Sequence, residues 1–374
     1  MKEKITWGTC WFNESVEKLI EFYLISLKNL CKLGFNVIPI VFDAKLNRDN
    51  FQIKLLKSKI NNIIILQNTT NIYPNKNYGI AAISNESIKY NTKFTAIVDC
   101  DWNINQNMDF IKKTLLYMIY NKLDLIIPNI GSASGRSNLL IGKVAINLFY
   151  PEYKDKIVTP FPGSLIIKTV YLNEIVNDDN YHFDWGGEWD IISISIKKKL
   201  KIDSPLVEVV STRHRPNNSK ILDSFQIWRA ILSNDDINAR IKNVKKYDIN
   251  IQPYDQMSEL IINNNTTAKD FIDLVLKYSK NETQKQLLYM ILYPLSLFTD
   301  NLNLVQDIEN DITIPYEKNE LIKVSDLALY CAKVIFENND INYICKNCKN
   351  ITSIYLSNWN IKNQRKAMKD YRVI

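Results

Sequence analysis

Apolar runs of strand length alternate with amphipathic stretches over about the first 230 residues. Ile5–Phe12 reads as a strand. Ser15–Leu33 follows with apolar residues at Val16, Leu19, Ile20, Tyr23, Leu24 and Leu27, a 3–4 spacing that gives one buried helical face. Gly34 is placed to end that helix, because glycine accepts the left-handed conformation of a C-terminal cap. Val37–Phe42 and Asn62–Gln67 predict the second and third strands, and Gly79–Lys89 a helix. Lys93–Val98 predicts a fourth strand that runs into Asp99-Cys100-Asp101. Asp109–Tyr120 returns as a helix and Leu123–Pro128 as a strand. This alternation predicts an α/β fold, a mostly parallel sheet flanked by helices on both faces. Ligands of such sheets gather beyond the carboxyl ends of the strands.

The pattern changes at about residue 235. Asn-rich and charged connectors then separate the helical stretches Ala268–Tyr278, Glu282–Leu297 and Val324–Glu337. Two domains are expected, 1–235 and 236–374, the second all-helical. The basic end, Asn363–Arg372, reads as a solvated helix face ahead of an anionic membrane or acceptor contact. No internal repeat shows.

Composition narrows the class. With 374 residues, 46% hydrophobic and 23% charged, the chain has the apolar content for a sizeable core and is not disordered. No apolar run approaches the roughly 18–20 residues needed to span a bilayer. The start, Met1-Lys2-Glu3-Lys4, leads into a strand without a signal-peptide core. A cytoplasmic address is expected, with peripheral membrane contact left open. The net charge of +7 suits anionic phosphate ligands and equally a solvated basic face. Of six cysteines most lie in apolar runs, and Cys345-Lys-Asn-Cys348 lacks the second pair or histidines of a zinc site.

Three constellations carry chemistry. In Phe94-Thr-Ala-Ile-Val-Asp99-Cys-Asp101-Trp102 a buried strand emits two carboxylates at i and i+2 as it leaves the sheet. A lone Asp there is usually a turn or cap residue. Two of them can converge on one divalent cation, and hard oxygens suit Mg²⁺ or Mn²⁺. The second is Phe183-Asp184-Trp185-Gly186-Gly187-Glu188-Trp189-Asp190, a glycine turn beside two tryptophans with a helix Asp190–Lys199 opening after it. Glu188 or Asp190 is a candidate at a sugar or acceptor hydroxyl, although acidic residues also favour a helix N-terminus through the macrodipole. The third is His214 in Thr212-Arg213-His214-Arg215, after the strand-like run Pro205–Ser211. A neutral imidazole can complete a metal site and the arginines can meet phosphate. His182 has no such setting and reads as structural.

Together, the strand–DxD–helix, the Pro-Gly strand Phe161–Lys168, the Asp-Trp-Gly-Gly-Glu turn and the late histidine resemble a GT-A glycosyltransferase. Within that fold they are most similar to the retaining mannosylglycerate synthase and glucosylglycerate-type synthase group. The resemblance covers about residues 5–235 and implies a Rossmann-like GT-A domain with a helical C-terminal domain. It implies a hexose moved from a UDP- or GDP-sugar to a hydroxyl acceptor, with retention, assisted by Mn²⁺ or Mg²⁺. By the same resemblance Asp99 lies close to the donor sugar or ribose, and Asp101 and His214 hold the metal with Asp99 beside them. Glu188, with Asp190 near it, stands by the acceptor and the reacting sugar. Glu14, Gln67 and Lys76 match positions near the nucleotide, Gln67 by the base and Lys76 by the diphosphate. Gly163 and Ser164 lie on the turn that lines the donor sugar pocket. Arg136 is several residues out of register with the arginine that grips glycerate in that group, and Glu188 replaces an Asp. The acceptor therefore stays open among a glycan, a lipid-linked sugar and a small metabolite, with a modified nucleic-acid base less favoured.

The sequence leaves two other readings open. A sugar-1-phosphate nucleotidyltransferase needs a Gly-rich, Arg-bearing first loop, whereas Gly8-Thr-Cys-Trp-Phe-Asn-Glu14 has a single glycine. A nucleotide- or carbohydrate-binding module without turnover would use the Trp and Tyr content for stacking.

Overall fold

The structure is a computed structural model that describes residues 3–45, 48–69, 76–100, 107–130, 146, 150–153, 156–157, 164–181, 187–207, 277 and 371–374. The chain divides into two compact units. One is formed by Met1–Gly135, Lys156–Arg215 and Ser353–Ile374, the other by Arg136–Asp155 and Pro216–Thr352. The expected helices of the second half fall almost wholly outside the described residues.

The first unit is built on β1 (Lys4–Trp11), α1 (Val16–Lys32), β2 (Asn36–Asp43), α2 (Asn50–Lys59), β3 (Ile64–Asn68), α3 (Lys76–Lys89) and β4 (Phe94–Ile97). Then come α4 (Asn107–Ile111), a π turn over Lys112–Leu116, α5 (Tyr117–Tyr120), β5 (Leu125–Ile126) and β6 (Asn129–Ile130). β7 (Leu165–Lys168), α6 (Thr169–Val176), α7 (Gly187–Lys197), β8 (Ile202–Asp203), β9 (Leu206–Val207) and β10 (Tyr371–Val373) complete the described elements. Eight strands line up as β10-β3-β2-β1-β4-β7-β5-β8, and β6 pairs with β9 separately.

β1 is central, parallel to β2 on one side and to β4 on the other. Burial on both faces explains its near-continuous apolar run, with Ile5, Trp7 and Trp11 inaccessible to solvent. The α1 boundaries follow from local chemistry. The Ser15 hydroxyl accepts from the Lys18 amide at its start. At its end Gly34 takes φ +88°, while Gly34 N–H donates to Cys31 O and Phe35 N–H to Leu30 O, a Schellman closure.

The chain steps β1–β2–β3 outward on one side and then returns to place β4 on the other side of β1. The order therefore reverses beside β1, where the carboxyl ends of β1 and β4 open a crevice. Close approach of α3 to this place is a glycine effect. A Cβ on Gly79 would collide with Cys10 Sγ and lie 2.9 Å from the Phe42 ring, and one on Gly8 would lie 2.9 Å from Ile83 Cγ2.

Four features depart from the sequence reading. α2 is a helix that the pattern did not announce, because only Ile53 and Leu56 on it are buried. Parallel pairing is interrupted where β7 inserts antiparallel between β4 and β5. The helix after the DxD stretch carries a π turn at Lys112–Leu116. The basic end is corrected as well: Tyr371–Val373 is a strand and not part of a solvated helix face, pairing antiparallel with β3. β3 would otherwise leave a row of edge amides and carbonyls unpaired, and an alternating Tyr-Arg-Val segment suits that edge.

Candidate functional site

Two adjacent residues at the start of α3 reach two carboxylates from distant parts of the chain. Lys76 Nζ lies 2.6 Å from Asp99 Oδ1, just beyond β4. Asn77 Nδ2 donates to Glu188 Oε2 at 2.7 Å, in the first turn of α7. The Asp99 side chain keeps 32% exposure, whereas Glu188 and Asp190 are buried. Asp99 is fixed from the other side too, since its backbone N–H donates to Ser164 Oγ at 3.1 Å. Ser164 sits immediately before β7, so the antiparallel insertion that broke the parallel pattern delivers this hydroxyl to the β4 end.

Glu14 belongs to the loop after β1. Its Oε2 accepts from Phe12 N–H at 3.0 Å, and Trp11 Nε1 donates to its carbonyl oxygen. The loop thereby folds back over the carboxyl end of β1. Cys10 lies beneath this cluster, with Sγ 3.7 Å from Lys76 O. Burial pushes its thiol up to about 12; Lys76 pulls the other way, and Asp99, Glu14 and Glu188 add to the rise. These side chains thus share one electrostatic neighbourhood. Burial lowers the Lys76 ammonium, but Asp99, through charge and hydrogen bond, and Glu188 outweigh it and hold the group above its ordinary value. Lys76 is a fixed cation. Tyr181 closes the buried side, its hydroxyl donating to Asn77 O at 3.2 Å. Its phenol is raised well above the ordinary value by burial, with Glu188 and Asp190 adding to it.

Of the residues expected from the sequence, Asp99, Ser164, Lys76, Glu188 and Glu14 meet in this neighbourhood. Asp190 lies one residue beyond Trp189 in the same first turn. The helix opens at Gly187, three residues earlier than the pattern suggested, so Glu188 lies within it and not in the preceding turn. Gln67 stands apart from the Lys76 cluster, at the carboxyl end of β3, where Arg372 Nη2 donates to its Oε1 at 2.8 Å. Asp101, Gly163 and His214 lie outside the described residues, as do His182, Arg136, Cys345 and Cys348. Among the described residues no three metal-binding side chains converge. What is described fits a hard divalent cation in kind: Asp99 offers a partly exposed carboxylate at a strand end. Asn77, Tyr181 and Arg372 escaped the sequence reading. Asn77 was marked only by adjacency to Lys76, both ahead of the helix expected from Gly79, whereas α3 opens at Lys76; Tyr181 reads as an ordinary core aromatic. Arg372 was read only as the end of the basic stretch Asn363–Arg372, not as a partner of Gln67.

A second cation–carboxylate pair lies on the opposite sheet face. Arg48 Nε donates to Asp43 Oδ1 at 2.8 Å, its Nη2 donates to the carbonyls of Trp11 and Phe12, and its guanidinium stacks 3.6 Å from the Trp11 ring centre. Both side chains are essentially sealed from solvent.

The chain matches no protein-family model and no curated protein. Among solved structures it is similar to glucosyl-3-phosphoglycerate synthase from Mycobacterium tuberculosis. The form in complex with phosphoglyceric acid aligns with TM-score 0.48 and 16% identity over 62% of this chain and 79% of that one. The form in complex with Mn²⁺, UDP-glucose and phosphoglyceric acid aligns with TM-score 0.49, the same identity and the same coverage. The form with Mg²⁺ and UDP gives TM-score 0.48 at 16% identity. Within the described residues no helix is long and apolar enough to cross a membrane.

Proposed function

We propose that the chain is a metal-dependent glycosyltransferase that moves a hexose from a UDP- or GDP-sugar to a hydroxyl acceptor with retention of configuration. The observation that carries this reading is the meeting of Lys76 with Asp99 and Asn77 with Glu188 at the sheet's switch point. A fixed ammonium beside a partly exposed carboxylate is suited to a polar ligand that carries both phosphate and hydroxyl groups. Lys76 would hold the diphosphate, and Asp99 a ribose or sugar hydroxyl. Asp101 and His214, with Asp99 beside them, would hold Mn²⁺ or Mg²⁺, whose charge would offset that of the departing diphosphate.

In the reaction the C1–O bond of the donor breaks and its electron pair leaves with the diphosphate. The acceptor oxygen bonds to C1 on the same face, and its proton passes to the departing phosphate oxygen. Glu188 is held as an acceptor by the Asn77 amide, which supports a role in steadying positive charge at C1 or orienting the acceptor. An inverting enzyme would instead use Glu188 or Asp190 as general base.

The test is hydrolysis of a panel of UDP-, GDP-, ADP- and dTDP-sugars with Mn²⁺, followed by NMR of the released anomer once an acceptor is found. Slow Mn²⁺-dependent cleavage of one donor is expected, and Asp101→Asn should abolish it while the melting temperature holds. A β-linked product from an α-donor would end the retaining proposal.

A further inference from the structure

Several helices end on a residue in the left-handed region. After α1, α2 and α3 it is Gly34, Asn62 or Asn91, types that accept a positive φ readily. After α5 and α7 it is a lysine, Lys122 at φ 53° and Lys199 at φ 55°. The backbone closes there as it does at Gly34: Lys122 N–H donates to Ile119 O and Leu123 N–H to Met118 O, and Lys199 and Leu200 repeat this on Ile196 and Ser195. Lysine thus stands at two turns where glycine would fold more easily.

The two turns meet at one edge of the sheet. Leu125 of β5 pairs with Ile202 of the outer strand β8, and Lys201 N–H donates to Asp124 Oδ2 at 2.9 Å. Lys122, Lys199 and Lys201 are exposed. The described carboxylates nearby are already engaged: Asp124 with Lys168, Glu174 with Lys198, and Asp203 with the Tyr117 hydroxyl. Lys122, Lys199 and Lys201 enter no ion pair among the described residues, so their charge is unbalanced there. Tyr120, two residues before Lys122, is 86% exposed.

We propose that this edge docks the chain on an anionic bilayer, with the lysines on lipid headgroups and the Tyr120 ring at the headgroup level. Tyrosine beside lysine suits that boundary. Arginine, better matched to nucleic-acid phosphates and bases, is absent from the described edge. The edge lies at the amino ends of β5 and β8, opposite the crevice at the carboxyl ends of β1 and β4, so docking leaves the crevice open. The proposal does not depend on what the crevice binds.

Co-sedimentation of the full chain with phosphatidylcholine vesicles, with and without phosphatidylserine, tests this. Binding is expected only with phosphatidylserine and should weaken as salt rises. Replacing Lys122, Lys199 and Lys201 together by Gln should lower partitioning by about fivefold for each charge removed. Tyr120→Ser should lower it further without altering the salt dependence. Lys122→Gly with Lys199→Gly separates docking from folding: the melting temperature should hold or rise while vesicle binding falls. The proposal is overturned if the wild type ignores phosphatidylserine, if the triple variant binds as the wild type does, or if RNA at equal salt strips the chain from the vesicles through the same lysines.

Discussion

The two faces of the sheet each hold a cation against a carboxylate, and the pairs differ in what surrounds them. Arg48 and Asp43 have side-chain exposures of 2% and 0%, and the arginine is consumed by two carbonyls and a tryptophan face. Lys76 and Asp99 have 12% and 32%, at the crevice beside β1. Ion pairing in itself does not distinguish a clasp from a ligand site. The distinction comes from access and from what else the groups can still do: a sealed arginine ties β1 to β2, while Lys76 is paired with a carboxylate that stays partly exposed at the crevice.

The largest effect should come from breaking the sealed pair. Arg48→Ala leaves Asp43 buried without its cation and is expected to cost about 3–5 kcal/mol, read from urea unfolding. If the loss is below about 1 kcal/mol, the clasp is not structural. Breaking the open pair should do the reverse. Lys76→Ala is expected to lower donor turnover by a hundredfold or more, roughly the cost of removing one preorganised donor to developing charge. Stability should fall by about 1 kcal/mol, less than for Arg48→Ala, since the carboxylate left behind is partly open to water. A variant that unfolds but whose remaining folded fraction turns over normally would reverse the assignment.

Next in size is the glycine contact that lets α3 carry Lys76 to the crevice. Gly79→Ala should cost about 1–3 kcal/mol from overpacking against Cys10 and Phe42. It should also raise the KM for the donor by displacing the helix start; an unchanged melting temperature would show that the sheet yields instead. The smallest effect is in pH. The Cys10 thiol sits at about 12 when folded, against 9.0 as its ordinary value, because burial penalises the thiolate. Its contribution to stability is complete below pH 9 and is lost as pH rises toward 12, since the unfolded chain ionises first. At pH 10 the loss is about 1 kcal/mol. Cys10→Ala should flatten that part of the profile in denaturation series between pH 8 and 10.

How much of this could be read from the sequence differs along the same lines. β1, α1, β2, β3 and β4 were legible because burial on both faces of a strand, or on one face of a helix, writes a period into the residues. Ser15 and Gly34 marked the ends of α1 by chemistry that acts within a few residues. α2 was missed because two buried side chains do not make a stripe. β7 was read as a strand within Phe161–Lys168, but its antiparallel direction, like the returning strand Tyr371–Val373, was missed because pairing partners are set by tertiary closure, which leaves no local mark. The carboxylates of the site were legible as Asp99 and Glu188 from their place after a strand and beside glycines. Their partners were less so: Asn77 is an ordinary amide until α3 is laid across the sheet. Arg372 acquires meaning only when residue 67 is beside it.

The most direct test of the central claim is titration of the chain with UDP and GDP in the presence and absence of Mn²⁺. The account predicts binding of at least one of them that requires the metal and is lost in Lys76→Ala. Nucleotide binding indifferent to Mn²⁺, or undiminished in Lys76→Ala, would contradict it.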